Sequence, residues 1–199
     1  MSVTVIKYDR TMGRWEPNAQ GRLEQAAMEL YVERGFDQTT VAEIAKRAGL
    51  TERTFFRHFS DKREVLFWGA SSLQELMVDA VTNAPSSLGP IATIASALEA
   101  AGALLEQRRE YPRLRQTIID ANPELQEREL IKLASLAVAM TDALHQRGVG
   151  DPTARLAAET GIAVFRIAFD RWISEDGGRS LCQIIRASFG ELKEMTASG

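Results

Sequence analysis

Apolar residues along this chain recur at intervals of three and four, and nowhere in the alternation that marks a strand. The pattern predicts an all-α protein. A first helix is expected from about residue 18 to Arg34, with Leu23, Ala26, Ala27, Leu30 and Tyr31 on its buried side. Gly35 ends it, and Phe36 folds back on the last turn as the apolar partner of a C-cap. Val41, Ile44, Ala45 and Ala48 then give a second, short helix one apolar face, and Thr40 stands three residues before Glu43 as a capping box. Gly49 stops that helix, because glycine takes the left-handed conformation of a C′ residue without steric penalty. Leu50 plugs the corner, and Thr51 is the N-cap of a third helix in which Phe55 and Phe59 lie four apart and point inward. Two short helices joined by a glycine turn make the outline of a helix-turn-helix.

Beyond it, Ser60 reads as the N-cap of a long helix to about Asn83, with Asp61 in its first turn and Leu66, Leu73, Leu76, Met77 and Ala80 apolar. That helix is expected to link a small head to a larger body. NAPSSLGP is a break, and Pro90 suits the first position of a helix to about Glu110, interrupted at Tyr111-Pro112 and followed by a short helix to Ala121. Asn122-Pro123 opens a helix to about Gln146, with Leu125, Leu130, Leu133, Leu136, Ala137, Met140 and Leu144 at helical intervals. Asp151-Pro152 opens another to about Ser174, apolar over much of its circumference at Leu156, Ala157, Gly161, Val164, Phe165, Ala168, Phe169 and Trp172. Gly177-Gly178 is a turn, and a last helix from about Arg179 to Glu194 presents Leu181, Ile184, Ile185, Ala187, Phe189 and Leu192. The expected domains are an arm over residues 1–17, which carries Arg10 and Arg14, a helix-turn-helix head over 18–66 and a bundle over 67–199.

Composition narrows the function. With 45% hydrophobic and 26% charged residues, the chain has ordinary globular composition rather than that of a disordered protein. It has no apolar run near the roughly 20 residues of a bilayer span and no signal-peptide core, so a cytoplasmic location and no membrane partner are expected. The single cysteine, Cys182, and two histidines, His58 and His145, supply no metal cluster, and no cofactor is expected. Nucleophile elbows, phosphate-binding glycine loops and HExxH are absent from the sequence, which disfavours an enzyme. A net charge of −3 at first argues against nucleic acid, but its distribution reverses that. Lys46 to Arg63 holds six basic residues against two acidic, whereas from Gly69 onward there are 13 basic and 17 acidic. A basic tip on an acidic body suits a protein that presents one face to DNA.

The second helix of a helix-turn-helix lies in the major groove. Arg53 and Arg57, four apart, share one face, and either has the fork to grip guanine O6 and N7. Thr54 suits a phosphate or a thymine methyl, and Thr40 can offer its N–H or hydroxyl to a phosphate.

TTVAEIAKRAGLTERTFFRHFSDKREVL, Thr39 to Leu66, with the preceding ELYVERGFDQTT, resembles the DNA-binding signature of the TetR family of transcriptional regulators. The resemblance implies that His58 and Lys62 anchor backbone phosphates and that Thr51 belongs to the same surface. Phe56 stands where many members carry a phosphate-binding tyrosine; lacking the hydroxyl, it is expected on the surface against sugar or a thymine methyl. The family further implies a dimer that reads a palindrome and a repressor relieved by a small ligand. Expected interface residues are Ala157, Gly161, Val164, Phe165, Ala168, Ile185 and Phe189, and expected pocket residues are Leu73, Met77, Leu104, Leu133, Met140 and Phe169. The C-terminal part resembles actinobacterial members of the mycofactocin-system type, which points to a lipophilic or acyl-CoA-like effector. A ligand-dependent activator, a helical-bundle enzyme and an architectural DNA-binding protein are the alternatives.

Overall fold

The computed structural model describes residues 19–175 and 178–197; the expected arm and part of the Gly177-Gly178 turn lie outside the described residues. The described chain is all-helical: α1 (Ala19–Arg34), α2 (Val41–Arg47), α3 (Glu52–His58), α4 (Ala70–Thr82), α5 (Pro90–Glu106), α6 (Glu110–Asp120), α7 (Pro123–Gln146), α8 (Thr153–Ser174) and α9 (Leu181–Ala197). Its contacts divide it into two compact units between Val65 and Leu66. No helix among the described residues is long and apolar enough to cross a membrane.

In the first unit α1 packs on α2 and α3 through Leu23, Ala27, Leu30, Tyr31, Ile44, Ala45 and Phe55, all buried. The local signals operate as their chemistry dictates. Thr40 and Glu43 form a reciprocal capping box, Gly49 takes φ +66°, and the Thr51 side chain accepts from the Thr54 N–H.

The expected long linking helix is instead broken. Asp61 Oδ1 accepts from the N–H groups of Arg63 and Glu64, which tightens the chain into a 3-10 turn over Glu64–Phe67, and α4 starts only after Gly69. An aspartate that bonds the backbone two and three residues on favours a turn over continued α-helix.

The second unit is a bundle in which α5 touches α4, α8 and α9, while α7 and α8 pack as a hairpin. Its core runs through Met77, Ile94, Leu98, Met140, Leu144, Phe165, Trp172 and Ile184. Small residues let α5 sit close to its neighbours. A Cβ at Gly161 of α8 would lie 2.2 Å from Ile94 Cγ2 of α5, and one at Gly102 of α5 would lie 3.2 Å from both Cys182 Sγ and Ile185 Cδ1 of α9. The break between α5 and α6 comes at residues 107–109, before the expected point, because Pro112 falls in the first turn of α6, where its missing N–H leaves no bond unmade. Arg109 donates to the carbonyls of Trp172 and Glu175 and so closes the C-terminus of α8.

Candidate nucleic-acid interface

α3 is held at both ends and through its middle, and its outer face is what remains. Phe55 is buried and meets Phe56 edge-on and Phe59 obliquely, each with ring centroids 5.5 Å apart. The Thr51 hydroxyl lies 3.0 Å from that of Thr54, so both threonines serve the start of the helix. Arg53 and Arg57 are exposed and have no hydrogen-bond or ion-pair partner among the described residues. With Thr54 and Phe56 they line one shallow open concavity. Phe56 is 55% exposed, a large apolar ring lining the same concavity as the two arginines. Fully hydrated cations beside an exposed aromatic face suit a polyanion that also presents sugar edges and base methyls.

Other expected contacts are redirected. The Thr40 N–H and hydroxyl both donate to Glu43 Oε2, at 3.0 and 2.9 Å, so neither is left for a phosphate. Glu43 Oε1 in turn accepts from Arg34 at 2.7 Å. Thr40's own N–H, then its hydroxyl and the nearby Arg34 hold the Glu43 carboxyl below the usual carboxylate range. His58 is half-buried, and its Nε2 is sheltered without a protein partner, so that atom does not face a phosphate. The Lys62 ammonium donates to the carbonyls of Phe36, Asp37 and Thr39 rather than standing in solvent.

The six basic residues of the tip therefore differ in availability. Arg47 is bidentate to Glu33 at 2.8 and 3.0 Å and reaches Glu29 at 3.3 Å, fastening α2 to α1. Arg63 is bonded to Asp61. Lys46, Arg53 and Arg57 carry the outward charge. Sequence spacing gave no sign of the Arg47 and Lys62 partners, which lie 14 to 26 positions away.

In the second unit the expected interface residues prove to be core. Ala157, Gly161, Val164, Phe165, Ala168 and Ile185 are buried within the single chain, and Phe189 is half-buried against the same core. Of the expected pocket residues, Met77 and Met140 are fully buried and Leu73, Leu133 and Phe169 pack around the core, but Leu104 is 43% exposed. Leu130 of α7 and Leu156 of α8, expected on buried faces, are 52% and 64% exposed.

Taken together, a capped helical hairpin presenting an unpaired pair of arginines defines a DNA-binding helix-turn-helix. Residues 24–67 match the family described as bacterial regulatory proteins, tetR family. Over 79 residues the chain is 34% identical to the transcriptional regulator TcmR of Streptomyces glaucescens, a match that covers 40% of this chain and 35% of TcmR. It is 24% identical over 187 residues to MftR of Mycobacterium tuberculosis, named for regulation of mycofactocin biosynthesis, covering 92% of this chain and 94% of that one. The fold is shared with Thermus thermophilus FadR, a TetR-family repressor solved with lauroyl-CoA, at 22% identity and a TM-score of 0.57, with 88% and 93% of the two chains covered. The head, residues 24–67, thus carries the DNA-binding domain of the TetR family of transcriptional regulators.

Proposed function

We propose that the protein is a repressor that binds a palindromic operator as a homodimer and is released by a lipophilic effector, acting in the cytoplasm. The observation that carries the DNA contact is the state of Arg53 and Arg57, exposed on α3 with no protein partner among the described residues while Arg47, Lys62 and Arg63 are occupied. Arg53, Thr54, Phe56 and Arg57 form the reading face, and Thr51 fixes its start.

One head of this size reaches few base edges, and a second copy spaced by about one helical turn of DNA, roughly 34–36 Å, supplies the other half-site. An outward apolar stripe on α8 supports a second copy there. Leu156 and Ile167 are 64% and 57% exposed, with exposed Ala163 between them. Eleven positions are about three turns of helix, so these side chains share one face.

The lauroyl-CoA in the T. thermophilus repressor supports an acyl-CoA-like effector here. Its acyl chain would lodge among Leu73, Leu133 and Phe169, which are only partly buried around Met77 and Met140. Release requires the effector to favour the unbound arrangement over the DNA-bound one. The test is competition: a duplex selected by the protein from random DNA is titrated with lauroyl-CoA, with free coenzyme A as control. Loss of DNA affinity of about 5–150-fold with the acyl thioester alone is expected. Tighter DNA binding would make the protein an effector-dependent binder, and no change would remove this effector class.

A further inference from the structure

We infer that Lys62 is a positioning residue for DNA recognition, strapping the exit of α3 to the α1–α2 turn and making no DNA contact of its own. The inference rests on the proposed role of α3 as the reading helix.

The resemblance to the TetR family implies a phosphate clamp at Lys62. An ammonium has three donors and no acceptor, and here all three have partners. Lys62 Nζ lies 2.8 Å from the Phe36 carbonyl, 3.3 Å from that of Asp37 and 3.0 Å from that of Thr39. It also sits 4.3 Å from the centroid of the Phe36 ring, within cation–π range. These carbonyls belong to the turn that follows Gly35, whose φ of +87° ends α1 and leaves the next carbonyls without helical partners. Three carbonyl oxygens converging on one point repel one another, and the ammonium is what lets the turn close. A phosphate could recruit Lys62 only by stripping donors from that turn.

The backbone of the same residue is gripped from the other side. Tyr31 of α1 donates its hydroxyl to the Lys62 carbonyl at 2.6 Å. Tyr31 is buried, and burial, with Asp61 nearby, pushes its pKa far up, so the phenol keeps the proton it donates. One residue is thus tied to α1 by its backbone and to the turn before α2 by its side chain. It lies three positions beyond Phe59, the C-cap of α3. Thr51 fixes where α3 begins, and Lys62 fixes where the chain leaves it. Between those two points the helix axis, and with it the direction of Arg53 and Arg57, is set.

The test uses full-length protein and the duplex that the unmodified protein selects from a random pool, titrated at several salt concentrations. Lys62→Met, which keeps the length of the side chain and removes its charge, is expected to weaken binding about tenfold or more, the equivalent of one charged hydrogen bond, with an unchanged salt slope. Tyr31→Phe is expected to weaken binding at the same slope, and the double variant to lose less than the sum of the two, because both ties act on one segment. A phosphate clamp would instead lower the slope by roughly 0.9 in Lys62→Met. That result, full additivity, or undiminished affinity in Lys62→Met would overturn the inference. If Lys62→Met does not fold, Tyr31→Phe carries the test alone: weaker binding at constant slope supports the strap, and undiminished affinity overturns it. If the unmodified protein selects no duplex, the DNA-binding reading itself has failed and this inference falls with it.

Discussion

Gly161→Ala is the sharpest test of how the bundle is packed. The added methyl would lie 2.2 Å from Ile94 Cγ2, more than 1 Å inside ordinary van der Waals contact, and that atom is a branch on Cβ that cannot swing away as a chain end can. Overpacking of this kind costs about 1–3 kcal/mol, and so close an approach belongs at the upper end. Alanine is favoured over glycine inside a helix by about 1 kcal/mol, which offsets part of it. A net loss of about 2 kcal/mol is expected. Gly102→Ala is the internal control: its methyl would meet Cys182 Sγ and Ile185 Cδ1 at 3.2 Å, ends of side chains able to give way, so strain and propensity nearly cancel. Urea unfolding followed by far-ultraviolet circular dichroism, at one protein concentration, would show a clearly lower midpoint for Gly161→Ala and little change for Gly102→Ala. Ile94→Leu, which lacks the offending branch, should recover part of the loss in the double variant. A Gly161→Ala protein as stable as the parent would refute the close α5–α8 approach.

Arg57→Ala should lower affinity for the selected duplex by about 1–3 kcal/mol and relax one base position if it reads guanine; equal loss on all sequences with a shallower salt slope would make it a phosphate contact. Leu156→Asp should give a folded monomer by light scattering, whereas Val164→Asp, which buries a charge inside one chain, should fail to fold; an unchanged dimer mass for Leu156→Asp would remove α8's outer face from the interface. Glu43, held below the usual carboxylate range chiefly by the Thr40 N–H, stabilises the head above its unfolded pKa, and that contribution is lost as pH falls through the depressed folded value. Glu43→Gln should therefore show a flatter decline of the thermal midpoint below about pH 4 than the parent, and parallel declines would contradict this.

The head was legible because its signals are local. Thr40 with Glu43, Gly49 and Thr51 each act within four residues of themselves, so their spacing alone specifies two capped helices and the turn between them. Partners distant in sequence were not legible. Nothing near Lys62 or Arg47 announces the turn carbonyls or the glutamates of α1 that occupy them. The linking helix was overextended because Asp61 qualifies equally as a first-turn residue and as a turn former, and only the bonds to Arg63 and Glu64 decide. In α7 and α8, apolar residues surround most of the helix, so periodicity does not say which side faces out. Close approach to α5 drew Gly161 inward, while Leu156, Ile167, Leu130 and Val138 were left on the surface.

The proposed function turns on paired α3 helices reading a duplex. Selection of bound sequences from random double-stranded DNA by the purified protein, with the mass of the resulting complex, tests it most directly. A palindrome carrying two chains is expected, lost when Arg53 and Arg57 are both replaced by alanine. Indifference to every duplex at low ionic strength, or an even footprint over unrelated DNA, would contradict it.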